Sequence, residues 1–68
     1  MGVTNLKIER IKKGISQWKM ASLIGIDSTK LSKIETGRLS PDKKIKCACS
    51  KILGLGVRYL FTEIEKNN

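Results

Sequence analysis

The chain has 68 residues, with 14 Lys and Arg against 6 Asp and Glu, for a net charge of +8. A chain this short buries only about 60% of the surface its unfolded form exposes, so one small domain over 1–68 is the limit and a deep substrate pocket has little room. Histidine is absent and Trp, Tyr and Phe occur once each, which removes the commonest general base and metal ligand and excludes an aromatic platform for single strands.

Glycine and proline divide the chain, and no segment repeats. Residues 1–4 are expected to be loose. Asn5 is placed to cap a first helix over residues 6–13, with Leu6, Ile8 and Ile11 approximating one face and Gly14 at its end. Ser16 is placed to cap a second helix over 17–24, with Met20, Leu23 and Ile24 as its apolar stripe and Gly25 after it. Asp27 caps a third over 28–36, with Leu31 and Ile34 turned inward and Gly37 closing it. Pro41 opens a fourth over 42–53, where Ile45, Cys49 and Ile52 form the stripe before Gly54. A fifth over 57–65 carries Val57, Leu60, Phe61 and Ile64 at helical spacing. Residues 66–68 are expected to be loose. Nothing alternates with period two, so no strand is expected. The fold class is all-α, a compact bundle of five short helices.

The two cysteines, Cys47 and Cys49, fall two apart in the fourth helix, on opposite sides, so they cannot bridge each other. They are expected to be small buried or half-buried thiols, and with no His beside them no metal site and no cofactor is expected. The longest apolar-looking stretch, residues 20–26, is interrupted by Ser22 and Gly25 and is far below spanning length. No apolar leader is visible. A cytoplasmic protein with no membrane partner is the expectation, and no further domain is read after the fifth helix.

The positive charge sits in two blocks. Residues 7–19 hold five basic residues and one acidic, and residues 28–51 hold seven and two, while the stretch from 57 onward is balanced. That distribution suits a polyanion met by a folded surface rather than by a flexible arm.

Residues 17–38 read QWKMASLIGIDSTKLSKIETGR. Gln17, Ala21, Gly25, Ile26, Leu31, Ser32, Ile34, Glu35 and Gly37 stand in the register of a known motif. This stretch resembles the helix-turn-helix of the phage repressor and Cro (XRE-type) family. Arg10 and Gly14 match that family's first helix and its end, and Pro41, Leu53, Gly54, Leu60 and Phe61 match its return helices, so the resemblance covers about residues 5–61. It implies a lambda-repressor-like domain with the motif in the second and third helices. Each element has a physical reason. A small Ala21 lets two helices cross closely, and Gly25 adopts a positive φ at no steric cost. Met20, Ile24, Ile26, Leu31 and Ile34 fill the core beneath the crossing. The third helix is then offered as a ridge to the major groove.

At about 100° per residue, Ser28, Ser32, Thr36, Thr29 and Lys33 share one arc of the third helix, and Leu31, Ile34 and Glu35 fall outside it. Ser28, Thr29, Ser32 and Lys33 are therefore the candidates for base contact, as short hydroxyls and a lysine suit groove edges. Gln17 is expected at a phosphate, where the resemblance places an amide at the start of the second helix. Lys30, Thr36, Arg38, Ser40, Lys43 and Lys44 complete the phosphate candidates. An inward Glu35 needs a partner, because an unpaired buried carboxylate is costly. Arg10 is the candidate, and the resemblance implies the same structural salt bridge.

Trp18 stands where the family usually has a polar residue. Packing on the first helix is the default expectation, with a sugar-phosphate edge or a protein partner as alternatives. Three further departures from the family pattern lie late in the chain: Lys46 at a position often apolar, Ser50 where Ala is usual, and Gly56 in place of a Ser or Thr cap.

Two readings result. The first is a sequence-specific regulator of transcription, a repressor that binds an inverted repeat in double-stranded DNA as a homodimer. The fifth helix would supply the dimer face through Val57, Arg58, Phe61 and Ile64. The second is a protein-interaction module such as an antitoxin, with Trp18 and the C-terminal stripe making the contact. Salt dependence separates them, since phosphate contacts weaken steeply with salt. With no His, no paired carboxylates on one face and no phosphate loop, nothing points to an enzyme.

Overall fold

The computed structural model describes residues 2–64. The order is β1 (Val3–Thr4), α1 (Asn5–Lys12), α2 (Gln17–Ile24), α3 (Ser28–Glu35), α4 (Lys43–Leu53), α5 (Val57–Leu60) and β2 (Glu63–Ile64). The five helices surround a core of Leu6, Met20, Ala21, Leu31, Ile34, Ile45, Cys49, Leu53 and Leu60. Ile15, Ile24, Ile26, Ile52, Leu55 and Phe61 pack around its margin.

Three helix starts follow from side-chain caps. Ser16, Asp27 and Asp42 accept from the backbone N–H groups of Lys19, Lys30 and Ile45, each satisfying a donor that has no partner inside its helix. The fourth helix accordingly begins after Asp42, and Pro41 precedes the cap instead of opening the helix. Gly25, at φ 95°, ends α2, and its N–H and that of Ile26 both return to the Ala21 carbonyl. That tight turn lets α3 follow at once. Ser50 donates to the Leu55 carbonyl at 2.6 Å and so ties the exit of α4, which Ala could not do.

The first helix begins one residue early. Asn5 lies inside it, not at its cap: its amide donates to the Tyr59 carbonyl at 2.9 Å, and its backbone N–H to Thr62 at 3.1 Å. Thr4 occupies the cap position and makes no side-chain cap bond there. The fifth helix ends at Leu60, well short of the expected stripe, and Gly56 gives it no side-chain cap. The chain then extends and pairs antiparallel with β1, Val3 opposite Ile64 and Thr4 opposite Glu63. Gly2 to Thr4 are thus tied down rather than loose. Residues 65–68, including the expected end of the fifth helix, lie outside the described residues.

Several apolar positions face differently from the expectation. On α1 the inner face is set by Leu6 and Arg10, four apart, and leaves Ile11 exposed. On α2, Met20 and Ala21 are buried and Leu23 is exposed. On α4, Leu53 takes the innermost position expected of Ile52. Trp18, expected to pack on α1, is 67% exposed. Cys47 is exposed as well, while Cys49 on the opposite side is buried.

The deepest polar contact joins α1 to α3. Glu35 has 0% of its surface exposed. Arg10 donates through Nε to Oε2 at 2.7 Å and through Nη2 to Oε1 at 3.3 Å. The same guanidinium donates to the Ile15 carbonyl at 2.7 Å, which fixes the loop leading into α2. Gln17 adds a third hydrogen bond to Glu35, at 3.1 Å. Among the described residues no buried side-chain polar atom lacks a partner.

Burial, together with the nearby Glu35 charge, raises the Cys49 thiol to about 11. Two expectations follow from this interior. Glu35→Ala leaves Arg10 buried and unpaired, at a cost of about 3–5 kcal/mol. That is comparable to the whole stability expected of a domain this size, on the order of 3–10 kcal/mol, so the variant should be largely unfolded at room temperature in a denaturant titration. An unchanged melting temperature would contradict the bridge. Because the folded protein holds the Cys49 proton more tightly than the unfolded chain, this group stabilises fully below pH 9.0 and its contribution is lost as pH rises toward about 11. At pH 8 a thiol reagent should label Cys47 quickly and Cys49 only on unfolding, read by mass; equal rates would refute the burial.

Candidate nucleic-acid interface

The outward side of α3 carries no carboxylate. Ser28 and Ser32 are half-buried and Thr29 and Lys33 exposed, while Leu31, Ile34 and Glu35 are buried beneath them. Asp27, at the cap, spends Oδ1 on the Lys30 N–H at 2.7 Å. The opposite face of the helix is anchored by its apolar residues, so the hydroxyl face is held at a fixed angle to the body.

An open cleft of about 350 Å³ runs along this face, lined by Gln17, Ser28, Thr29, Ser32, Lys33 and Arg38. The four residues expected at bases are therefore brought together with two expected at phosphates. The lining holds an amide, three hydroxyls and two cations, a set that donates and accepts hydrogen bonds without repelling an anion. Lys30, Ser40, Lys43 and Lys44 lie outside the cleft and are exposed. Ser40 stands in the α3–α4 connection and Lys43 and Lys44 open α4, while Lys30 is in the first turn of α3.

Two of the expected phosphate residues are partly committed elsewhere. Gln17 spends one amide proton on Glu35, which keeps the second proton for a ligand and fixes the direction of the side chain. Thr36 donates its hydroxyl proton to the Ser32 carbonyl at 2.9 Å in the free domain.

The expected dimer stripe is not one helical face. Val57 and Arg58 belong to α5, Phe61 follows it and packs against the core, and Ile64 lies in β2. Sequence reasoning missed Thr4. It is 3% exposed and donates through Oγ1 to the Glu35 carbonyl at 3.1 Å, at the end of α3. A strand of two residues has no periodicity to announce it.

Among the described residues no group of His, Cys, Asp and Glu could hold a metal ion, and no helix is long and apolar enough to cross a membrane.

Comparison with known proteins agrees with this geometry. The helix-turn-helix family matches residues 6–60. The SPbeta prophage-derived uncharacterized HTH-type transcriptional regulator YonR of Bacillus subtilis (strain 168) is 40% identical over 56 residues, which is 82% of this chain and 52% of that protein. The chain thus spans about half the length of this relative. With α2, the Gly25 turn and α3 in the motif's register, and α1, α4 and α5 closing the core behind them, the chain belongs to the helix-turn-helix family of the phage repressor and Cro (XRE) type.

Proposed function

We propose that this domain binds double-stranded DNA with α3 in the major groove and regulates transcription, acting as a repressor at an inverted-repeat operator. The observation that carries the reading is the cleft of Gln17, Ser28, Thr29, Ser32, Lys33 and Arg38, polar and cationic on a helix whose other face is locked in the core. Ser28, Thr29, Ser32 and Lys33 meet base edges, where hydroxyls donate or accept and a lysine suits guanine O6 and N7. Gln17, Lys30, Thr36, Arg38, Ser40, Lys43 and Lys44 grip the phosphates on either side and set the register. The net charge of +8 draws the protein to the duplex before any base is read. The relative's description as a transcriptional regulator supports the same reading.

Such a helix reads few base pairs, so a homodimer is proposed. The domain measures 34 × 24 × 23 Å, and two copies abreast can reach half-sites about 34–36 Å apart, one helical turn. The surface around Val57, Arg58 and Ile64 is the face proposed for the second copy, Phe61 being turned toward the core. A protein-interaction module remains the second reading, favoured by one observation, the exposed indole of Trp18.

Selection of bound sequences from a random duplex pool at about physiological salt is expected to enrich an inverted repeat with half-sites one turn apart. Lys33→Ala should relax the preference at one position of the half-site. Lys44→Ala should weaken all duplexes alike and reduce the slope of log K against log salt by about 0.9 per subunit, about 1.8 for the dimer. A pool that yields no motif, with binding only at low salt, would overturn the regulator and leave the protein partner.

A further inference from the structure

We propose that Thr4 is a positioning residue for α3, held in place by Glu63, and that this clasp between β1 and β2 sets how the C-terminal end of α3 meets DNA. The inference rests on the reading of α3 as the DNA-contacting helix. Glu35 is the last residue of α3, and the last carbonyls of a helix have no partner within it. The Thr4 hydroxyl supplies one from a distant part of the chain, in a buried hydrogen bond of 3.1 Å. The Thr4 hydroxyl and the Glu35 carbonyl thus join β1 to α3, independently of the carboxylate that Arg10 holds.

Thr4 is itself held in place by β2. It stands opposite Glu63 in the ladder, and the next residue, Asn5, donates its N–H to Thr62 at 3.1 Å. Gly2 donates its N–H to Glu63 Oε1 at 2.9 Å. The Glu63 carboxylate also lies against Gly37, where a Cβ would stand 2.9 Å from its Cδ and Oε2. Gly37 has φ 76°, where the backbone itself strains any side chain, and the Glu63 carboxylate is its neighbour there. The Glu63 carboxylate thus lies beside the turn that leaves α3, one residue before Arg38 of the cleft. The Gly37 and Arg38 N–H groups return to Ile34 and Lys33 and close that turn. The clasp acts at this end of α3, so its loss loosens Arg38 and the last turn of the helix before it loosens α2 or α4.

The test is amide hydrogen exchange on the full chain, with Thr4→Val, which keeps the shape and removes the donor, and Thr4→Ser, which restores it. In Thr4→Val the Gly37 and Arg38 amides should exchange roughly tenfold faster relative to those of Gly25 and Gly54, which end α2 and α4, and Thr4→Ser should match the parent. The ratio of affinities for the selected duplex and a random duplex, at one salt concentration, should fall roughly tenfold in Thr4→Val and recover in Thr4→Ser. Equal acceleration of all four amides, or none, would overturn the clasp, because Thr4 would then add only to global stability. Selective loosening with an unchanged affinity ratio would overturn its part in recognition. A parent protein that prefers no duplex would refute the DNA reading and with it that part, while the exchange pattern would still decide the clasp.

Discussion

The fold is organised around one buried carboxylate. Glu35 belongs to α3, its side chain is held by Arg10 of α1 and Gln17 of α2, and its carbonyl by Thr4 of β1. A charge removed from water is tolerated only where its hydrogen-bonding capacity is filled and its sign is matched. The Glu35 carboxylate meets that requirement only when α1, α2 and α3 are all in place. The interaction adds little net energy compared with an apolar pair of the same shape, yet any arrangement that separates α1 from α3 exposes its full cost. It therefore specifies the orientation of α3 more than it strengthens the domain, while Leu31, Ile34, Met20 and Leu60 provide the burial that stabilises it.

That orientation turns a short helix into a reading surface. A helix of eight residues is not stable alone in water, and α3 keeps its shape because one side is packed and capped. The free side can then be committed to short polar residues at no cost to the core. Gln17 links the two functions, with one amide proton inward on Glu35 and the rest of the group at the cleft. The arrangement holds the proposed phosphate contact and the proposed base contacts in one rigid frame. Groups fixed before contact lose less conformational entropy on binding, which favours discrimination over mere attraction by the +8 charge.

Much of this was legible in the residues, for reasons that differ from place to place. Ser16 and Asp27 announce helix starts because a short side chain can reach the N–H three residues on. Gly25 announces the turn because few other residues adopt its φ. Glu35 was legible through the conflict between its charge and its place on the wheel, and Arg10 through the need to resolve it. Ile11 and Leu23 were misread because a helix of two turns fixes its hydrophobic phase poorly; Ile11 lies about 140° from Leu6 at 100° per residue. The β1–β2 ladder and the role of Thr4 left no local signal, since each depends on a partner some sixty or thirty residues away. Trp18 departs from the burial expected of a large aromatic side chain, and its exposure is a property of the surface rather than of the fold.

The outward face of α3, fixed from behind by Glu35, is proposed as the surface that meets double-stranded DNA. The most direct measurement is the change in amide and side-chain NMR shifts as a duplex carrying the selected sequence is added at about physiological salt. Saturable changes are expected at Gln17, Ser28, Thr29, Ser32, Lys33 and Arg38, with Leu53 and Leu60 nearly unmoved. Changes centred on Trp18 or on α5, with the α3 face unaffected, would contradict the proposal.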